Sequence, residues 1–160
     1  MSDPAAHPPT DLPVVFRPRM LRTVGLILAP LVTAAFIAAS IAFTVIEWRS
    51  WRAGADSVWM IGLGLLLSAI ILRFAFIVAR AEEDGLFVRN ILLTRRYAWS
   101  QIVGVSYSEP LGDSWATLSL SDGTTAAVMA IQAADGPRAA AAADHLRILV
   151  DEHTPSGGTP

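Results

Sequence analysis

The sequence contains no cysteine among its 160 residues. This absence excludes disulfide bonds, thiolate nucleophiles, iron–sulfur clusters and cysteine-ligated zinc. Lysine is absent too, so all twelve basic side chains are arginines, and only 16% of the residues are charged. Histidine is scarce: His145 and His153 lie eight residues apart without a third ligand, and His7 lies far from both. We therefore predict no metal ion and no cofactor.

Hydrophobic residues, in contrast, make up 53% of the chain, which is too apolar for an ordinary soluble protein of this size. Thr23–Ile46 contains no charge, and Val58–Ala79 contains only Arg73. At about 1.5 Å per residue in a helix, each run exceeds the roughly 30 Å hydrocarbon core of a bilayer. The runs predict a membrane hairpin over 20–80, with helices at about 21–47 and 58–80 and a link at 48–57.

The region before the first helix, residues 1–19, contains five prolines and shows neither a helical nor a strand period. It is predicted to be a disordered tail. A cleaved signal peptide is the alternative interpretation of the first apolar run, because arginines precede it. The run is longer than the about 7–15 apolar residues of a signal-peptide core, so an uncleaved anchor is favoured.

Tryptophans and arginines predict the orientation of the hairpin. Trp48, Trp51 and Trp59 surround the link and are typical of the aromatic belt at a membrane interface, so we expect them to be interfacial anchors. Arginines are more numerous at the outer ends of the two helices than in the link. By the positive-inside rule, we expect a multi-pass protein of the plasma (inner) membrane with both termini in the cytoplasm.

Arg73 is the one charge inside the apolar runs. Inserting an arginine at the centre of a membrane helix costs about 2.5–3.5 kcal/mol, so such a residue is a candidate functional site. The alternative is structural: Arg80 follows about two helical turns later, so Arg73 could lie near the headgroups and snorkel toward water. We favour the structural interpretation. A functional Arg73 would instead suit a small accessory subunit of a transporter or membrane complex.

The pattern changes after Arg80, and residues 81–153 are predicted to form a β-rich cytoplasmic domain. Turn signals at Asp84-Gly85 and Asp122-Gly123 separate short runs with strand composition. A helix is predicted from Asp135-Gly136-Pro137 to about His153, and 154–160 is predicted to be a flexible tail. The expected strands are, in order, LFVRN, LLTRRYA, IVGVSYS, WATLSLS and TTAAVMAI.

Three motifs in this region carry a family resemblance. They are D-G-L-x-V-R-N at Asp84–Asn90, W-x-x-I at Trp99–Ile102 and A-I-Q-x-x-D-G at Ala130–Gly136. Together with the two preceding apolar helices, they resemble the bacterial PH-domain (pleckstrin homology-like) family of actinobacterial membrane proteins. The resemblance covers about residues 81–150. It implies an α+β fold, with an antiparallel sheet capped by a C-terminal helix. Eukaryotic PH domains have seven strands, so about five strands imply a short, open version.

A PH-like domain suggests two kinds of ligand. Arg89, Arg95 and Arg96 flank a turn and could contact a lipid headgroup or a partner. Residues 81–153, however, contain ten acidic residues and five arginines, a net charge of −5 that an anionic membrane would repel. The sequence therefore favours a membrane-anchored interaction module that binds a protein partner or a second copy of itself. Lipid-headgroup sensing is the alternative.

Catalysis and nucleic-acid binding are not predicted. No Ser–His–Asp arrangement and no glycine-rich phosphate loop can be assigned to the sequence. The acidic run Glu82-Glu83-Asp84 is better explained as a solvated turn than as a pair of catalytic carboxylates. We expect the bilayer and a protein to be the partners, and no enzyme activity.

Overall fold

The computed structural model describes residues 11–107 and 114–153. The chain forms two compact units. One is Arg19–Phe76, and the other combines the described parts of Met1–Pro18 and Ile77–Pro160. The expected tail at 154–160 lies outside the described residues, as do residues 1–10 of the expected N-terminal tail.

The first unit is a pair of apolar helices, α1 (Arg19–Val45) and α2 (Ala55–Ala75). Both are long and apolar enough to cross a membrane, judged by length and composition. Their large apolar side chains face outward to an unusual degree: Leu31 is 59% exposed and Leu66 57% exposed. The helices begin and end a few residues earlier than the sequence predicts.

Small residues allow the two helices to pack closely. A Cβ added at Gly64 would lie 2.6 Å from Cβ of Phe36, and one added at Gly25 would lie 2.8 Å from Cβ of Ala75. Between these contacts, the Ser68 hydroxyl donates to the Ala29 carbonyl oxygen at 2.8 Å. Because small side chains let helix backbones approach, this is the packing expected of helices without a hydrophobic driving force between them.

The contact face of α1 differs from the one that its alanines suggest. Ala34, Ala38 and Ala42 are spaced as a small-residue stripe, yet all three are exposed. The buried positions of α1 are Gly25, Ala29 and Ser40. Gly64 and Ser68 of α2 are buried at the contact, as their size predicts. Alanine is frequent throughout this chain, so its spacing alone does not identify the packed face.

The second unit is the β-rich domain, with seven strands in two antiparallel sheets within the described residues. The first sheet has the order β1-β2-β3-β4 and the second the order β5-β6-β7. Single 3₁₀ turns at Trp99–Gln101 and Ala133–Asp135 precede β5 and the helix α3. The elements are β1 (Val14–Phe16), β2 (Val78–Glu82), β3 (Gly85–Arg89), β4 (Thr94–Ala98), β5 (Ile102–Ser106), β6 (Trp115–Leu120), β7 (Thr125–Gln132) and α3 (Pro137–His153).

The core of this domain lies between the sheets and α3. Leu86, Leu118, Ile131, Leu146 and Leu149 are each at most 1% exposed. Fully burying a side chain of this size contributes about 1.5–3 kcal/mol, so these residues supply much of the driving force for folding. The predicted combination of an antiparallel sheet and a C-terminal helix is confirmed. Pro137 is the first residue of α3, where its missing N–H leaves no hydrogen bond unmade.

The strand β1 corrects the prediction that all of 1–19 is a disordered tail. Val14–Phe16 pairs with β2 in the register Val14↔Ala81, Val15↔Arg80 and Phe16↔Ala79. Phe16 is only 6% exposed, and its ring packs edge-on against His145 of α3. Three residues are too few to show an alternating pattern. Pro13, which argues against a central strand, is tolerated beside an edge strand.

The strand β2 corrects the prediction that the second helix continues to residue 80. The helix α2 ends at Ala75, and Val78–Glu82 pairs with β3 over five residues. Val78, Ala79 and Ala81 extend the apolar run of α2 without a break in composition. A short apolar run cannot be assigned to helix or strand by its period alone, so the sequence does not show this boundary. With β1 and β2, the five expected strands become seven.

The β-rich domain is therefore interrupted in sequence. The chain makes β1, then α1 and α2, and then returns to pair β2 with β1. Only Arg17 and Pro18 separate β1 from α1, and only Phe76 and Ile77 separate α2 from β2. The hairpin is thus an insertion between the first two strands of the domain.

Candidate interaction surface

The outer face of the first sheet carries a cluster of arginines around one aromatic ring. Successive side chains of a strand point to opposite faces, and registered partners share a face. The register Arg80↔Phe87↔Arg96 therefore places an arginine on each side of Phe87. Arg89 lies two residues along β3 from Phe87, on the same face. We call Arg80, Phe87, Arg89 and Arg96 the basic face.

Arg96 already has partners within this surface. Its Nη1 lies 3.0 Å from Oε2 of Glu82, and its Cζ lies 5.3 Å from the centroid of the Phe87 ring. The Arg96 side chain remains 71% exposed, so solvent screens the ion pair, and such pairs contribute about 0.2–1 kcal/mol. The contacts hold the guanidinium against the sheet. They leave it accessible to a ligand that approaches from outside.

The structure separates one of the three arginines that the sequence groups together. Arg95 is the registered partner of Val88, whose side chain is buried on the inner face. Arg95 therefore lies on the opposite side of the sheet from Arg89 and Arg96. Arg80 takes the third place on the basic face. Consecutive residues of a strand cannot share a face, and the sequence alone does not place Arg80 in a strand.

The turn between β3 and β4 is held firmly at its base. The Asn90 N–H donates to the Leu93 carbonyl oxygen at 2.9 Å and closes the turn. The Asn90 side chain reaches the second sheet: Nδ2 donates to the Ala127 carbonyl oxygen at 2.7 Å, and Oδ1 accepts from the Met129 N–H at 3.2 Å. The Asn90 side chain thus makes two hydrogen bonds to the backbone of β7 and links the first sheet to the second. This contact explains the asparagine of the D-G-L-x-V-R-N motif.

The opposite end of the first sheet is fixed by Trp99. Its Nε1–H donates to the carbonyl oxygens of Glu82 and Glu83, both at 3.1 Å, and its ring stacks on His153 at 4.9 Å between centroids. Trp99 is 6% exposed, so its ring is part of the core. Gly85 begins β3 in the same corner with φ +152°.

The end of β5 and the residue after it, Tyr107, are held to α3 by Arg147. Its Nε donates to the Val105 carbonyl oxygen at 3.0 Å, and its Nη2 donates to the Tyr107 carbonyl oxygen at 3.4 Å. The Arg147 Nη1 also pairs with Asp144, one helical turn earlier. These contacts make Arg147 a structural arginine.

The helical unit places the remaining predicted site residues. Arg73 lies in the last turn of α2, beside the negative end of the helix dipole, which favours a cation there. Trp48 and Trp51 both pack on the ring of Phe43, with centroids 5.8 Å and 5.2 Å away, and Trp51 Nε1–H donates to the Thr44 hydroxyl at 3.1 Å. Trp59 is 80% exposed on α2.

The histidine and acidic side chains of the described residues bear on metal binding and on the pH dependence of the domain. Residues 11–107 and 114–153 contain no group of three or more His, Asp or Glu side chains that could hold a metal ion. The Thr124 hydroxyl and N–H donate to Asp122 at 2.7 and 2.9 Å and lower the pKa of Asp122. This carboxylate stabilises the turn between β6 and β7.

Comparison with known proteins identifies the domain. A family model described as a bacterial PH domain matches residues 79–147. Uncharacterized protein Rv1417 of Mycobacterium tuberculosis and uncharacterized protein Mb1452 of Mycobacterium bovis are each 38% identical to the chain over 147 residues, which covers 92% of this chain and 94% of each relative. The chain belongs to the bacterial PH-domain family. No solved structure matches it.

The family match agrees with the seven strands and the C-terminal helix of the bacterial PH domain described above. PH domains are in general interaction modules rather than catalysts, and the match indicates no enzyme family. The matched segment begins at Ala79, within β2, so it includes neither β1 nor the two helices. The relatives, in contrast, align over nearly the whole chain, so the similarity to them extends beyond the bacterial PH domain itself.

Proposed function

We propose that the chain is a membrane-anchored interaction module of the plasma membrane. In this proposal, α1 and α2 span the bilayer as a hairpin, the bacterial PH domain lies at the cytoplasmic face, and the basic face binds a protein partner. The pairing of β1 with β2 is the observation that supports it most strongly. Strands that pair must lie in the same compartment, so the chain between them crosses the membrane an even number of times.

The same pairing argues against cleavage of α1 as a signal peptide. Cleavage would remove β1 from the chain that carries β2. It would also remove Phe16, whose buried ring packs against His145. Losing a buried phenylalanine side chain typically costs a domain about 3–5 kcal/mol.

Arginine positions support cytoplasmic termini. Arg17, Arg19 and Arg22 surround the start of α1, and Arg73 lies in the last turn of α2. The link end of the hairpin has only two arginines, Arg49 and Arg52. By the positive-inside rule, this difference supports a link on the outside. At the end of α2, Arg73 can extend its guanidinium to the headgroups, so we propose a snorkelling role for it rather than a role in transport.

The topology can be tested directly because the natural chain has no cysteine. Gly54→Cys would place a thiol in the link, and Ser121→Cys would place one in the exposed turn after β6. On intact cells, we expect a membrane-impermeant maleimide to label the link cysteine and to label the domain cysteine only after the membrane is opened. Labelling of Ser121→Cys on intact cells would refute the proposed orientation.

The basic face favours a partner of opposite charge. Arg80 and Arg96 flank Phe87, which gives the combination of aromatic and arginine contacts that is enriched at protein interfaces. A second copy of the chain offers acidic residues, since Glu83 and Asp84 lie in the turn between β2 and β3. The structure weakens the headgroup-sensing alternative, because Arg95 lies on the other face and Glu82 pairs with Arg96.

Crosslinking in membranes of the producing cell tests the partner. We expect the natural chain to form a discrete adduct heavier than the monomer, and Arg80→Glu to lose it because the substitution reverses one charge of the basic face. Arg138→Glu is the matched control, since Arg138 is an exposed arginine at the start of α3. A natural chain that crosslinks to nothing, or an adduct unaffected by Arg80→Glu, would contradict the proposed surface.

A further inference from the structure

The turn between β3 and β4 exposes two large apolar side chains. Leu92 is 89% exposed and Leu93 is 61% exposed. The turn itself is ordered, because Asn90 closes it through its N–H and binds β7 through its side chain. A firmly held turn that presents adjacent leucines to water is costly unless something covers them.

The register of the first sheet places this turn at a particular end. Phe16, the last residue of β1, pairs with Ala79, and Val78, the first residue of β2, pairs with Arg89. Arg89 in turn pairs with Thr94 at the start of β4. The chain therefore leaves the sheet for α1, returns from α2, and makes the β3–β4 turn all at one end. Neighbouring strands lie about 4.8 Å apart, so the turn is within about 15 Å of both exits.

Charge along the first sheet is divided between its two ends. Arg89 and Arg95 flank the leucines at the exit end. Glu82, Glu83 and Asp84 lie at the opposite end, in the β2–β3 turn. Five-residue strands are about 14 Å long, and charges that far apart are separated by more than the Debye length of about 8 Å at physiological ionic strength. The domain as a whole has a negative net charge, but the end of the sheet that carries the β3–β4 turn is locally positive.

We propose that Leu92 and Leu93 insert into the cytoplasmic leaflet. Arg95 and Arg89, the residue of the basic face nearest the turn, would lie among the lipid phosphates, and Arg80, Phe87 and Arg96 would remain for the protein partner. This inference rests on the proposed membrane-spanning role of α1 and α2. The occupant of the leucine turn is the bilayer rather than a protein, because the turn shares its end of the sheet with the two chain segments that lead to the membrane. The bilayer then bounds the domain at three points, namely the two exits and the turn.

The seating of the turn would lengthen the attachment of the domain to the bilayer. The two exits leave from the adjacent strands β1 and β2, which lie about 5 Å apart. The β3–β4 turn continues the same edge of the sheet, so the contact extends over about 15 Å and would resist rocking of the sheet within its own plane.

Fluorescence quenching on the full chain tests this inference. Single cysteines at Leu92→Cys and Leu93→Cys would carry an environment-sensitive fluorophore, and the protein would be reconstituted into vesicles that contain phosphatidylglycerol. The matched control is Val103→Cys, an exposed apolar position of β5, 63% exposed, that follows Trp99 at the opposite end of the first sheet. A fourth cysteine, Leu66→Cys on α2, reports insertion of the hairpin.

We expect a nitroxide on the lipid acyl chain to remove most of the fluorescence at 92 and 93 and to leave that at 103 nearly unchanged. Aqueous iodide should do the reverse. Iodide access at 92 and 93 equal to that at 103, with Leu66→Cys quenched by lipid, would overturn the inference and leave the hairpin intact. A Leu66→Cys label that lipid does not quench would instead refute the membrane-spanning role itself.

Discussion

Gly85 occupies a position that only glycine tolerates. Its φ is +152°, and a Cβ built on it would lie 2.1 Å from the Tyr97 carbonyl oxygen of the paired strand. A backbone atom of a sheet cannot move aside as a flexible side chain can. The D-G pair of the sequence motif therefore marks a point where the backbone of β3 approaches that of β4 too closely for a Cβ.

We expect Gly85→Ala to destabilise the domain by about 3 kcal/mol or more, through backbone strain and the overlap with Tyr97. Gly104→Ala is the control, since a Cβ there meets nothing within 4 Å. Urea unfolding of the detergent-solubilised chain measures both. Equal stabilities of the two variants would show that the close approach at Gly85 is relieved at little cost.

The Asp122 carboxylate makes a pH-dependent contribution to the stability of the folded domain. The lowered pKa of Asp122 means that its charged form is favoured in the folded state, so its contribution is present above the ordinary carboxyl pKa and is lost as pH falls through the lowered value. Removing the hydroxyl in Thr124→Val should raise the pKa of Asp122, which an NMR titration measures. We expect the difference in thermal stability between the two proteins to be larger at neutral pH than in acid, below about pH 4. A Thr124→Val chain with an unchanged Asp122 titration would contradict this account.

Among the elements, the helix pair depends on contact at small residues. Gly64 of α2 lies against the Phe36 side chain, and Ser68 of the same helix donates to the Ala29 carbonyl oxygen and lies 2.7 Å from the Thr33 hydroxyl. These positions lie on one face of α2, one turn apart. They bring the two backbones together where a larger side chain would hold them apart.

Gly64→Ala should therefore weaken helix pairing, by about 1–3 kcal/mol, because the new methyl group overlaps Phe36. Gly62 is the matched control on the same helix, since a Cβ there meets nothing within 4 Å. Alanine has the higher helix propensity, so Gly62→Ala should leave pairing unchanged or slightly stronger. The loss of helix structure on titration with sodium dodecyl sulfate measures both variants. A Gly64→Ala chain as resistant as Gly62→Ala would contradict the described contact.

Sequence patterns predict the elements of this chain unevenly. The first long apolar run, the turns at Asp84-Gly85 and Asp122-Gly123, and the cap at Pro137 are local signals, and each agrees with the structure. The second apolar run agrees with the structure only as far as Ala75. The strand β1 and the start of β2 carry no such signal. The strand β1 forms by pairing with β2 across 61 intervening residues, and no local window of sequence contains that information. The strand β2 also pairs with its neighbour β3, but its first residues continue the apolar composition of α2.

The sequence predicts only part of the grouping of arginines on the first sheet. It groups Arg89, Arg95 and Arg96, and the register places Arg89 and Arg96 on one face. Arg95 was grouped with them by its place in the sequence, while strand geometry separates it. Arg80 and Phe87 join only once β2 is recognised as a strand, because β2 is what sets Arg80 beside Phe87.

At the scale of the whole molecule, the domain consists of two pieces of chain separated by the hairpin. The β1 piece contributes an edge strand and the buried Phe16, and the second piece contributes the other strands and α3. A fragment that begins after α2 would therefore lack β1, the edge strand of the first sheet.

We expect a protein in which a short glycine-serine turn replaces residues 19–75 to fold as a soluble domain, since Phe16 and Ala79 are registered neighbours. Residues 77–153 alone should unfold at a lower temperature, because β2 then becomes an exposed edge and His145 loses the Phe16 ring. Circular dichroism during heating compares the two proteins at equal concentration. If residues 77–153 alone were as stable as the joined protein, β1 would not be a part of the folding unit.

The insertion of the hairpin also orders events during synthesis. The ribosome makes β1 first and must add 61 further residues before β2 begins, a delay of about 3–12 s at ordinary elongation rates. Under the proposed topology, the translocation machinery handles both helices within that interval. If the chain crossed the membrane only once, β1 and β2 would lie on opposite sides of the bilayer and could not pair. Under the proposed topology, the sheet is therefore complete only when both helices have inserted correctly. A wrongly inserted chain would keep an unfolded domain, which quality-control proteases recognise.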